Sequence, residues 1–111
     1  MSSPIDMEIL NQLREILGDD FVLILDSFNS EGEKLMEVMS SALSNADMEK
    51  IKEAAHSMKS MSGNVGAMHL SELADQMQIA SGNADGEQVA KIWPEIQVQY
   101  PLAADALNNL D

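Results

Sequence analysis

The sequence predicts an all-α protein, an antiparallel up-down four-helix bundle with an additional short N-terminal helix. Three observations carry that prediction. Apolar residues recur at alternating steps of three and four along nearly the whole chain, which is the spacing of one helix face. The breaks between these runs are short and hold helix-ending or helix-starting residues, so consecutive helices must turn back on one another. The chain has 111 residues, 45% hydrophobic and 4% aromatic, with nine Met and no Cys. That is enough for one helical core in one domain, with Met filling irregular gaps and no disulfide framework or thiolate metal site.

In chain order, Ser3-Pro4-Ile5-Asp6 reads as a helix start, with Ser3 as N-cap, Pro4 at the first helical position and Asp6 at the third. Ile5, Ile9, Leu10, Leu13, Ile16 and Leu17 form the stripe of this short helix, and Gly18 ends it. Asp19 or Asp20 caps a long second helix whose seam is Phe21, Leu25, Phe28, Gly32, Leu35, Met39, Ala42 and Ala46. Gly32 inside that seam marks a close helix contact or a bend. Val22, Ile24, Met36 and Leu43 widen this stripe and Leu23 lies furthest from it; the first helix is expected to cover Leu23 and Val22, the alternative being an apolar rim for a partner protein. Asn45-Ala46-Asp47 is a turn and cap, followed by a third helix from about Met48 to about Val65. Gly66-Ala67 ends it, and Leu70, Leu73, Met77 and Ala80 line a fourth helix that stops near Gly82-Asn83. Asp85 caps a fifth, with Gln88 reaching back from the third position. Its seam runs through Val89, Ile92 or Trp93, Ile96, Tyr100, Ala103, Leu107 and Leu110. Pro94 and Pro101 share one face of it, and the sequence leaves open whether they kink the helix or split it.

Six Lys+Arg against 19 Asp+Glu give a net charge of −13. That excludes nucleic acid, which is bound by neutralising phosphates with Lys and Arg, and argues against anionic membranes. No apolar run approaches a membrane span, and the N-terminus lacks the basic start and apolar block of a secretory signal. A cytoplasmic monomer is the expectation.

The third helix carries the one stretch that points to chemistry. Ile51, Ala54, Met58, Met61 and Val65 fall on its inner side, and His56 points the opposite way. Lys52, Lys59, Ser60 and Gly63 surround His56 at helical steps. An exposed helix face ordinarily carries long polar side chains, and Gly costs about 1 kcal/mol of helix propensity relative to Ala. Small residues beside an exposed imidazole therefore suit docking by a partner. Imidazole is a nucleophile near neutral pH, and a lysine one turn away can offset the charge of a phosphoryl group on the ring.

The stretch Ala55-His56-x-Met58-Lys59-Ser60-x-Ser62-x-x-Val65-Gly66-Ala67 resembles the signature of histidine-containing phosphotransfer (Hpt) domains. Ser60 stands where that family most often has glycine. The resemblance implies that His56 accepts a phosphoryl group from the phosphoaspartate of a response-regulator receiver domain and passes it to another receiver. It implies Lys59 as the residue that stabilises phosphate charge, and Ser60, Gly63 and Lys52 as partner docking residues. Gln78 matches a glutamine that in several such domains hydrogen-bonds the ring or the phosphoryl group. The implied partners are receiver domains and a hybrid sensor kinase. The chain itself binds no cofactor, Mg²⁺ being expected from the receiver, and it has no kinase activity of its own. The alternative is a bundle that binds receiver or other signalling domains without carrying phosphate.

Other candidates are weaker. His69 reads as a surface or capping residue. Glu53-x-x-His56 has the spacing of a di-iron helix motif but occurs once and points outward, and no acidic set flanks both histidines, so the metal readings are rejected. A kinase is excluded because no Gly-rich phosphate loop or Walker lysine is present.

Overall fold

The computed structural model describes residues 4–109, and within them the chain forms five α-helices. These are α1 (Met7–Leu17), α2 (Phe21–Ser44), α3 (Met48–Asn64), α4 (Met68–Gly82) and α5 (Gly86–Asn108), with one 3-10 turn, Gly18–Asp20, between α1 and α2. Helices α2 to α5 pack as an up-down bundle, each against the next, and α2 closes it against α5. The buried seams contain the residues that the three-four spacing selects: Phe28, Met39 and Ala42 from α2, Ile51, Ala54 and Met58 from α3, Leu70, Leu73 and Met77 from α4, and Val89, Ile92, Ile96 and Leu107 from α5. Leu110 and Ser3 lie outside the described residues.

The first helix begins later than its sequence suggests. Asp6 is the N-cap, its carboxylate accepting from the backbone N–H groups of Glu8 and Ile9 at 3.0 and 3.3 Å. The reason is tertiary. Ile5 is buried in the core, and the Asp6 N–H donates to the Gly66 carbonyl at 2.7 Å, which holds this segment as an extended strap across the α3–α4 turn. Ile16, expected in the α1 stripe, is 80% exposed. The expected cover over Val22 and Leu23 is absent too: they are 59% and 64% exposed. Phe21 takes the contact instead, with the Arg14 guanidinium 5.6 Å from its ring centroid. The next two residues are carried round to the far side of the helix by roughly 100° each.

Three consecutive helix–helix turns share one geometry. After α2, the Ala46 N–H donates to Leu43 and the Asp47 N–H to Ala42. After α3, Gly66 donates to Gly63 and Ala67 to Ser62; after α4, Ala84 donates to Ser81 and Asp85 to Ala80. Each is a Schellman closure in which the central residue has positive φ: 53° at Ala46, 79° at Gly66 and 54° at Ala84. In each turn the next residue is the N-cap of the following helix. Asp47 accepts from the Lys50 N–H and Asp85 from the Gln88 N–H, both at 3.2 Å, while the Gln88 side chain makes no return bond. Ala46 thus belongs to the turn and not to the α2 seam.

Gly32 is a close-contact residue. A Cβ there would overlap the Tyr100 ring and hydroxyl of α5, and the same Tyr100 ring stacks on Phe28 at 5.7 Å. Helix α5 runs unbroken through Pro94 and Pro101. Both prolines are exposed, as are Ala90 and Gln97, whose carbonyls lose their helical donors and face the water side instead.

Candidate functional site

Helix α3 buries Ala54, Ala55 and Met58 and leaves His56 exposed on its opposite side. What α3 places along that outer face, α4 answers. Lys52 lies with its aliphatic stem over Gly82, where a Cβ would stand 3.8 Å from the lysine Cδ. His56 Nδ1 lies 3.2 Å from Gln78 Nε2. The Lys59 ammonium donates to the Asp75 carboxylate at 3.0 Å. Gly63 faces Ser71, whose hydroxyl donates to the Lys59 carbonyl at 2.9 Å. Each step of four or three up α3 is matched by an equal step back down α4, so these four pairs form the rungs of one antiparallel register.

The rungs stand between two shallow hollows. On the α2 side, a hollow of about 380 Å³ is lined by Ile24, Ser27 and Glu31 together with His56, Ser60 and Met61. On the α4 side, one of about 360 Å³ is lined by Glu49, Lys52, Glu53, His56 and Gln78. The imidazole is thus reached from either side. Its Nδ1 is engaged by Gln78, and among the described residues Nε2 has no hydrogen-bond partner.

The residues named from sequence divide as follows. His56, Lys52, Lys59, Gly63 and Gln78 share the α3–α4 face, and Ser60 turns toward α2. A Cβ at Gly63 would sit 3.5 Å from the Ser71 hydroxyl, an ordinary contact, so packing inside the molecule does not require glycine there. Gly66 has a structural reason: besides its positive φ, a Cβ would stand 2.9 Å from the Asp6 carbonyl oxygen. His69 is exposed in the first turn of α4, beside the strap hollow lined by Ile5, Asp6 and Glu72, and is not brought to His56. Its side chain does not cap α4. Among the described residues, no group of three or more His, Asp or Glu side chains is placed to hold a metal ion, and no helix is long and apolar enough to cross a membrane.

Sequence reasoning missed Asp75, Ser71 and Glu31. For Asp75 a signal existed. It precedes Gln78 by the same three residues by which Lys59 follows His56, the mirrored spacing that an antiparallel pair of helices brings together. Glu31 carries no such signal, because nothing in the spacing along α2 indicates which residue meets the His56 face.

The Hpt domain family model matches residues 23–110. The crystal structure of histidine-containing phosphotransfer protein B (HptB) from Pseudomonas aeruginosa PAO1 shares the fold, with a TM-score of 0.91 over 97% of this chain and 94% of that one, at 19% identity. No curated protein matches the chain in sequence.

Proposed function

The chain belongs to the Hpt domain family, a family of histidine phosphotransfer domains of phosphorelays, and on that premise we propose that it is a monomeric cytoplasmic carrier phosphorylated on His56. The observation that carries this reading is an exposed imidazole with Nδ1 engaged by Gln78 and Nε2 open to a partner.

The donor is the phosphoaspartate of a receiver domain. The Nε2 lone pair attacks phosphorus, the P–O bond to the aspartyl carboxylate breaks, and its electron pair stays with the carboxylate. The ring that attacks must carry its proton on Nδ1. In that tautomer the Gln78 amide presents its oxygen, and Nδ1–H donates to it. Once phosphorus is on Nε2 and the Nδ1 proton has left, the amide turns and its nitrogen donates to Nδ1, the two side chains standing 3.2 Å apart with roles that follow the tautomer. One side chain thus serves both states of the ring by turning its amide. Lys59, one turn away, offsets charge on the phosphoryl oxygens, while Ser60, Gly63 and Lys52 form the docking rim. Transfer runs through a loose transition state, so positioning and electrostatics are what the two proteins supply. Mg²⁺ comes with the receiver, and a hybrid sensor kinase stands upstream. As a class Hpt domains are phosphocarriers, and this chain is proposed to have no kinase activity of its own.

The test is transfer from a panel of phosphorylated receiver domains with Mg²⁺. Acid-labile, base-stable phosphate is expected on the wild-type chain and none on His56→Gln, with the helical content of the variant unchanged because the ring is outside the core. Label retained on His56→Gln would move the site elsewhere. Binding of receivers with no label on the wild type would make the chain a non-transferring module.

A further inference from the structure

The rung next to His56–Gln78 pairs Lys59 with Asp75, and both side chains are half-exposed, at 46% and 42%. The ammonium is therefore engaged in the unphosphorylated chain and can exchange partners without opening the core. The groups around the ring are otherwise mostly acidic. Glu31 reaches the hollow from α2, and Glu49 and Glu53 line the other hollow with Lys52. Lys52, on the rung at the other side of His56, lays its stem over Gly82. With Lys59 neutralised by Asp75, a phosphoryl group arriving on Nε2 meets a negative surrounding.

We infer that Asp75 is a positioning residue that competes with the phosphoryl group for Lys59, and so sets how firmly phosphate is held on His56. This deepens the carrier reading and rests on it. A carrier must release what it accepts. A lysine shared between Asp75 and the phosphoryl oxygens stabilises phosphohistidine less than a lysine committed to it. Phosphorylation gives Lys59 a competing dianion within one helical turn, and loss of the phosphoryl group returns it to Asp75.

The experiment needs no receiver. The chain carrying His69→Gln, so that one ring takes label, is phosphorylated with phosphoramidate, and the second ionisation of the phosphoryl group is followed by ³¹P NMR against pH. A nearby cation favours the dianion, so Asp75→Asn is expected to raise that acid dissociation constant about two- to fivefold, the scale of an exposed ion pair. Lys59→Ala lowers it, and Asp75→Asn adds nothing on the Lys59→Ala background. An unchanged constant in Asp75→Asn overturns the inference. So does an equal shift with and without Lys59, which would mean that Asp75 acts by its own charge. The transfer equilibrium with a phosphorylated receiver should move toward His56 by the same factor in Asp75→Asn. If no receiver transfers while the ³¹P shifts appear, the carrier reading fails and the competition for Lys59 stands.

Discussion

Gly66 is under two constraints at once. Its φ of 79° lies where a Cβ is strained, and the Asp6 strap crosses so closely that the added carbon would stand 2.9 Å from a carbonyl oxygen. Gly66→Ala is expected to cost roughly 2–3 kcal/mol in urea denaturation, the left-handed penalty of about 1–2 kcal/mol plus the displaced strap. The ring of His56 should remain as exposed as before. A stretch that resembles a phosphotransfer signature thus mixes two kinds of residue. His56 and Lys59 face solvent, while Gly66 and the buried Ser62, whose hydroxyl has no partner among the described residues, belong to the turn and the core. Spacing alone could place His56 and Lys59 on one face, because steps of three and four are local to a helix. Steps within one helix do not show that Lys59 is already engaged, since Asp75 is sixteen residues away on α4, and only the mirrored spacing of Asp75 and Gln78 points to it.

At the scale of elements, the same tripeptide, Asn-Ala-Asp, makes the turns at 45–47 and 83–85. In both, alanine holds the left-handed position that glycine holds at 66. Ala46→Gly and Ala84→Gly are each expected to stabilise the fold by about 0.5–1 kcal/mol, the relief of left-handed strain less the added freedom of the unfolded chain. Thermal unfolding of the two single variants and the double variant measures this, and the gains should add, because the sites share no partner. The bundle helices were legible because their seams repeat over many turns. The start of α1 was not. Ser3 and Asp6 are both good caps, and the choice falls to the docking of Ile5 and the Asp6–Gly66 bond, which are tertiary facts. The fate of α5 at its prolines was equally hidden, since it turns on which side of the helix meets water.

For the whole molecule, Tyr100 links the α2–α5 closure to pH. Burial raises its pKa above the ordinary value of 10.0, and the neighbouring Glu33 carboxylate adds to the rise. A group whose folded pKa is raised contributes stability that is complete below its unfolded pKa and lost as pH climbs through the folded one. Stability should therefore hold up to about pH 10 and then decline. Tyr100 is the one tyrosine of the chain, so tyrosinate absorbance reports it alone. Its midpoint should lie above that of the denatured chain, and Tyr100→Phe should remove the part of the alkaline decline that follows this absorbance. A midpoint equal to that of the denatured chain would show the hydroxyl to be freely hydrated.

The turn from Val65 to Ala67 does more than reverse the chain, because its length sets which residues of α4 meet which residues of α3. One residue inserted there would advance α4 by roughly 100° about its axis. Gln78 would leave His56 and Asp75 would leave Lys59 in the same motion, although none of the four had been altered. The chemistry of this surface is written in a reading frame, and a three-residue turn keeps the frame.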